Sequence, residues 1–288
     1  MDYDARRSSL YQPHLAATVF EEPVPHVHDW VCAELSRLAY TPFLHDLKQN
    51  ARLLAELKLG GFAWMDDFHA PGAQAIALRQ ERLGKLVLVF SGDEPNFINF
   101  ATDKHAVKTP WLVGGQVHLG SMQALNGMWE RITHSLGSQL DDCVFAGHSM
   151  GAALANLAAS RVQSSMARLV TIGAPAVGDA DFAETLEGMQ VDRYVNCCDI
   201  LCTLPPGRLQ YVHAGRLHYI DAEGQLHRDV TSLEGMEPDR RAAHQAYPQA
   251  THWVADAAES RELADHAPIN YVRAMLPHAR ESMLAPLN

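Results

Sequence analysis

The chain has 288 residues, of which 47% are apolar, and a formal charge of −11 at pH 7. The apolar share excludes wholesale disorder, and single α/β domains of this length are common. The negative charge argues against nucleic acid and anionic membrane surfaces as partners, because both would repel it.

Residues 1 to about 25 hold Pro13, Pro23 and Pro25 without clear periodicity and read as an arm. Trp30, Val31, Leu35, Leu38 and Ala39 recur near helical spacing between 26 and 40. A second helix is expected over 42–59, with Leu44, Leu47, Leu54 and Leu57 apolar and Gly60-Gly61 as its stop. Extended runs follow at 62–68 and 73–79 about a turn at Pro71-Gly72. Residues 85–90 are almost continuously apolar, the mark of a strand covered on both faces. An amphipathic helix is expected over 121–136, and further strands at 143–146, 169–172 and 192–197. Residues 209–213 and 216–220 read as a hairpin about Ala214-Gly215, followed by a polar turn at 221–224. The C-terminal fifth is helix and loop. Strands alternating with helices predict a mostly parallel sheet with helices on both faces, residues 26–288 forming one domain.

Five cysteines, Cys32, Cys143, Cys197, Cys198 and Cys202, are an odd number. No Cys-His grouping around them has zinc-like spacing, so buried free thiols in a reducing compartment are expected. No apolar run follows Arg6-Arg7, which argues against a secretory signal, and no stretch approaches the length of a membrane span. The expected location is the cytoplasm, with secretion lacking an N-terminal signal as the alternative.

The chemistry centres on Gly147-His148-Ser149-Met150-Gly151, a G-x-S-x-G motif between an apolar strand and the small-residue helix former 152–159. Strand, sharp turn and helix are the context of a nucleophile elbow, which makes Ser149 the candidate nucleophile. A serine needs a base, and the base needs an orienting carboxylate, met in the order Ser, Asp or Glu, His along such a sheet. Asp199 follows the strand that ends at Cys197, where loops converge on the elbow. Asp179 and Asp181 look instead like helix N-caps. Of the later histidines, His213 and His218 fall in the expected hairpin and His227 and His244 in polar loop, leaving His252 and His266. The amide of Met150, next after the nucleophile, supplies one oxyanion donor.

Several further stretches stand in a telling order. They are Ala39-Tyr40, Phe90-Ser91-Gly92-Asp93, Val117-His118-Leu119-Gly120, Thr171-Ile172-Gly173-Ala174-Pro175 and Val195-Asn196 before Asp199. Leu204-Pro205, Tyr211-x-His213-x-Gly215 and Asp265-His266 with Tyr271 continue it. Together with the elbow they resemble the class 3, fungal-type triacylglycerol lipase family and its bacterial relatives, over most of the chain from about His26. The resemblance implies an α/β-hydrolase fold, no metal or organic cofactor, and a triad of Ser149, Asp199 and His266, selecting His266 over His252. It places the second oxyanion amide at Asp93. Here Ser91 stands where that family has arginine, and Asp93 where it has a small hydroxyl residue. A carboxylate aimed at an oxyanion would oppose it, so the Asp93 side chain is expected to turn away and cap local N–H groups.

Residues 94–111 take the place of that family's lid. Phe97, Ile98, Phe100 and Trp111, with His148 of the elbow, are the candidates for substrate or lid contact; the apolar cluster either faces an acyl chain or packs into the core. The expected activity is serine carboxylic ester hydrolysis of lipase type, on acylglycerols or related lipid esters. The alternatives are a phospholipase or short-chain esterase on the same fold, and, in another class, a non-catalytic lipid- or partner-binding member.

Overall fold

A computed structural model describes residues 3–42, 47–92, 106–206 and 209–284. Strands β1 (Phe62–Ala70), β2 (Ala73–Gln80) and β3 (Leu86–Gly92) follow helices α1 (Arg7–Tyr11), α2 (Asp29–Leu38) and α3 (Leu47–Leu59). The short strands β4 (Lys108–Pro110) and β5 (Gln116–His118) pair with each other and lead into α4 (Leu119–Leu136). Then come β6 (Val144–His148), α5 (Met150–Val162), β7 (Arg168–Ile172), α6 (Ala180–Glu184), β8 (Gln190–Asn196), β9 (Arg216–Ile220) and β10 (Leu226–Val230). Helices α7 (Glu237–Thr251), α8 (Arg261–Asp265) and α9 (Pro268–Leu284) complete the described chain.

Eight strands form one sheet in the order β1-β2-β3-β6-β7-β8-β9-β10. The five from β3 to β9 run parallel, and antiparallel pairs close both edges. Alternation along the strands sends side chains to two cores. Val87, Val89, Val144, Ala146, Val170, Ile172 and Tyr194 pack towards α2 and α9. Leu88, Phe90, Phe145, Leu169 and Val191 pack towards α4 and α5. This is the α/β-hydrolase fold, and it places the C-terminal ends of the parallel strands together on one rim.

The hairpin at this end of the sheet differs from the sequence expectation. β9 joins β8 in parallel, and its hairpin partner is β10, across the polar turn 221–225. Residues 209–213 are not a strand: the Val212 amide bonds to the Gly178 carbonyl and so ties two loops together. β10 escapes a sequence reading because Leu226-His227-Arg228-Asp229-Val230 is polar through its middle, as an exposed edge strand tolerates. His244, expected in loop, lies within α7.

Segment 13–19 is held by a fully buried ion pair on α2. Arg37 pairs with Glu34 at 2.7 Å and donates to the carbonyls of Pro13 and Ala16, while Glu34 accepts from Thr18 Oγ1. Removing one partner of such a pair costs about 3–5 kcal/mol, because the other charge stays buried and uncompensated. All five cysteines are buried and free. No helix among the described residues is long and apolar enough to cross a membrane.

Candidate active site

Ser149 stands between β6 and α5 with φ 57° and ψ −126°, a strained conformation for a residue with a side chain. The strain persists because its surroundings leave the chain no alternative. A Cβ on Gly147 would lie 2.3 Å from the Gly151 carbonyl carbon, and one on Gly151 would lie 2.1 Å from the Phe90 carbonyl oxygen. The two glycines of the motif thus permit strand-to-helix and helix-to-β3 contact at once. The Ser149 amide bonds to Ile172 O at 3.0 Å, which anchors the elbow to β7.

The structure brings Ser149, His266 and Asp199 together. His266 Nε2 lies 2.8 Å from Ser149 Oγ, and His266 Nδ1 lies 2.9 Å from Asp199 Oδ2 and 3.0 Å from Oδ1. All three are buried. An ionised carboxylate only accepts, so Nδ1 carries the proton and the Nε2 lone pair faces the serine hydroxyl. Asp199 has two further donors: the Leu201 amide on Oδ1 at 2.9 Å and the Tyr271 hydroxyl on Oδ2 at 2.6 Å. Burial, and then the Asp199 charge, push the Tyr271 phenol well above its ordinary pKa, so it remains a donor. Gly173, at φ +57°, passes beside this pair; a Cβ there would sit 2.8 Å from Asp199 Oδ2 and 3.2 Å from His266 Nδ1. His252 is exposed and, among the described residues, bonds to its own helix end through Gln249 O.

His148, a candidate for substrate contact, is buried behind the His266 ring. Its Nε2 donates to the His266 carbonyl at 2.8 Å, its Nδ1 accepts from the Tyr40 hydroxyl at 2.7 Å, and its ring lies 4.5 Å from the His266 ring. Burial first, then His266, holds its pKa well below the ordinary value, so the ring is neutral and fits that donor–acceptor pattern.

Trp111 packs into the core. Only 6% of it is exposed; Nε1 donates to Ser160 Oγ at 2.9 Å, the ring meets Phe182 edge-on, and the Arg161 guanidinium covers it at 4.6 Å. Asp93, Phe97, Ile98 and Phe100 lie outside the described residues. Gly92, immediately before Asp93, abuts Met150, where a Cβ would be 2.7 Å from Met150 Cβ. The end of β3 therefore borders Met150, the residue that follows Ser149.

Sequence reasoning missed Tyr40, Gly173, Asn196 and Asp265 as parts of the site. Gly173 was legible as a strand-end glycine, but its closeness to Asp199 depends on β7 and β8 being neighbours. One metal-like grouping exists among the described residues: the ligand atoms of Cys197, Cys198 and Asp265 lie within 4.8 Å of one another. Its carboxylate is already engaged by Tyr3, Arg261 and the Cys198 amide, and the Cys197 thiol, hydrogen-bonded by Cys198 and buried, is pushed far above its ordinary pKa. Such a set is a poor cation ligand, because thiols bind metals as thiolates.

Residues 92–209 match the family model for lipase (class 3). Over 82 residues the chain is 34% identical to the chloroplastic phospholipase A(1) DAD1 of Arabidopsis thaliana, covering 26% of this chain and 18% of that protein. The propeptide complex of a Rhizomucor miehei lipase deletion mutant is similar at TM-score 0.54 and 24% identity, over 62% of each chain. Lipase II from Rhizopus niveus is similar at TM-score 0.55 and 22% identity, over 66% of this chain and 77% of that one. A triacylglycerol lipase structure is similar at TM-score 0.56 and 21% identity, over 73% and 82%. The chain thus spans about a fifth of the plant relative's length and under two thirds of the Rhizomucor chain. At these identities the structural likeness speaks for the fold.

Proposed function

We propose that this chain is a member of the class 3 lipase family and a serine hydrolase of lipid acyl esters, acylglycerols foremost, acting through Ser149, His266 and Asp199. The observation that carries the reading is the continuous hydrogen-bond chain from Ser149 Oγ through His266 to Asp199, mounted on a strained elbow. Two relatives lend support: the Arabidopsis protein is a phospholipase A(1), and one similar structure is of a triacylglycerol lipase whose catalytic centre is a serine protease triad.

In the first half-reaction Ser149 Oγ attacks the ester carbonyl carbon while His266 Nε2 takes its proton. The imidazolium is stabilised by Asp199, which also holds the tautomer. The Met150 amide, at the first position of α5 and so without an intrahelical acceptor, donates to the developing oxyanion. The amide of Asp93 is the second donor in this reading. His266 returns the proton to the leaving alcohol, leaving Ser149 acylated. Water then attacks the acyl carbon with His266 as base, releasing the acid and restoring the serine.

The test is hydrolysis of p-nitrophenyl esters of increasing acyl length, with Ser149→Ala as control and a fluorophosphonate as label for Ser149. The expected result is Ser149-dependent turnover and labelling; turnover unchanged in Ser149→Ala sinks the reading. Parallel assays on triacylglycerol and phosphatidylcholine emulsions separate a lipase from a phospholipase, and absence of labelling in folded protein favours a binding role.

A further inference from the structure

One buried carboxylate beside the base takes no part in the proposed chemistry. Asp265, the residue before His266, is fully buried at the end of α8. Its Oδ1 accepts from the Tyr3 hydroxyl and Arg261 Nε, each at 2.8 Å. Its Oδ2 accepts from Arg261 Nε at 2.8 Å and the Cys198 amide at 2.9 Å. Its backbone carbonyl accepts from Asn196 Nδ2 at 2.9 Å. Asn196 ends β8, and Cys198 lies in the turn after it that presents Asp199. Three separate stretches therefore meet on one residue: the acid-bearing turn, the base-bearing turn and the segment at Tyr3.

That segment is itself firmly seated. The Ala258 amide bonds to Ala5 O at 2.7 Å and the Arg7 amide to Asp256 O at 2.8 Å. Asp4 and Asn270 exchange two bonds, from the Asp4 amide at 2.8 Å and from Asn270 Nδ2 at 2.9 Å. The Arg261 guanidinium lies 4.4 Å from the centre of the Tyr3 ring, which keeps both donors facing the carboxylate.

We propose that Asp265 is a positioning residue that fixes the spacing of Asp199 and His266 by bracketing their two turns, with Tyr3 and Arg261 as its outer hold. The inference rests on the triad chemistry proposed above. An amide in its place keeps one acceptor oxygen but turns an NH2 towards the donors of Arg261, Tyr3 or Cys198, leaving at least one of them unpaired. The turns then lose their common anchor, and the acid–base pair loses alignment with Ser149. Asp265 makes no step in the chemistry, so the effect falls on turnover and not on substrate affinity.

The test is steady-state hydrolysis of a p-nitrophenyl ester, with the rate of fluorophosphonate labelling at Ser149, in wild type, Tyr3→Phe and Asp265→Asn. Misplacement of catalytic groups by about 1 Å costs up to about a hundredfold, so kcat and the labelling rate are expected to fall by about that factor in Asp265→Asn and about threefold in Tyr3→Phe, with KM within about twofold of wild type. Wild-type kcat in an Asp265→Asn protein with native near-ultraviolet dichroism overturns the proposal, as does a rise in KM at constant kcat. If Asp265→Asn does not fold, Tyr3→Phe decides: unchanged kcat and labelling overturn the inference. Failure of the wild-type protein itself to label at Ser149 removes the hydrolase reading and this inference with it, whereas a labelled wild type with unaffected variants removes only the bracket.

Discussion

The Tyr271 hydroxyl stands between two parts of the acid turn, donating to Asp199 Oδ2 at 2.6 Å and accepting from the Asn196 amide at 3.0 Å. It thereby fixes the carboxylate against the backbone that carries it. Tyr271→Phe leaves a buried amide without its acceptor and Asp199 without one donor. Hydrogen bonds to charged groups contribute about 1.5–3 kcal/mol, so kcat/KM on a p-nitrophenyl ester is expected to fall about ten- to a hundredfold. Wild-type kcat/KM in the folded variant contradicts this role.

Gly173 separates a steric requirement from a chemical one. Gly173→Ala adds a methyl 2.8 Å from Asp199 Oδ2 at a backbone φ of +57°, where side chains are strained. The acid has nowhere to retreat, being held by Leu201 and Tyr271. Activity is expected to drop more than a hundredfold, beyond what a helix or strand glycine substitution of about 1 kcal/mol would cause. Comparing turnover with the urea midpoint of the same protein checks it.

Trp111 distinguishes core packing from substrate contact. Trp111→Phe removes the bond to Ser160 and part of the stacking surface under Arg161. Stability is expected to fall by about 1–2 kcal/mol while KM for long-chain esters stays unchanged. A KM shift that grows with acyl length, at unchanged stability, would show the ring touching substrate.

His213 gives the fold an acid sensitivity. Burial, and then the Arg193 charge, hold its pKa down at about 3 against the usual 6.5, while Nε2 bonds to the Cys202 carbonyl. Between these values the unfolded chain binds a proton that the folded one refuses. The stabilisation is therefore complete above pH 6.5 and is lost as pH falls towards 3. The ring is only partly buried, so the loss between pH 7 and 5 is expected to be on the order of 1 kcal/mol. In His213→Gln, which retains a donor for Cys202, melting temperature should depend less on pH over that interval; an equal slope removes His213 from the account.

How far the molecule was legible depends on whether a signal is local. The elbow is local: strand, two glycines and a small-residue helix lie within a few turns of one another, and Ser149 follows from them. Asp179 as an N-cap is local too, and it accepts from the Phe182 amide at 3.0 Å. Asp199 needed only strand order. His266, among several histidines, became distinguishable through the ordered motifs around it, because its partner is 67 residues away. Trp111 and His148 show the limit. An aromatic among polar residues, and a histidine beside a nucleophile, carry no sign of which way they point. That is settled by Ser160 and Phe182 for one, and by Tyr40 and the His266 carbonyl for the other. The β9–β10 hairpin was hidden for a related reason, since an edge strand need not alternate.

The long reach of the Asp265 contacts has a consequence for biosynthesis. Ser149 precedes His266 by 117 residues, and Tyr3 precedes Asp265 by 262. Synthesis runs from the N-terminus, so a nascent chain displays its elbow long before its base exists, and Tyr3 waits still longer for the carboxylate it binds. In the proposed chemistry a nascent chain that stops short of residue 266 has a nucleophile but no base, so hydrolysis waits until α8 and α9 have been made and have packed on the sheet.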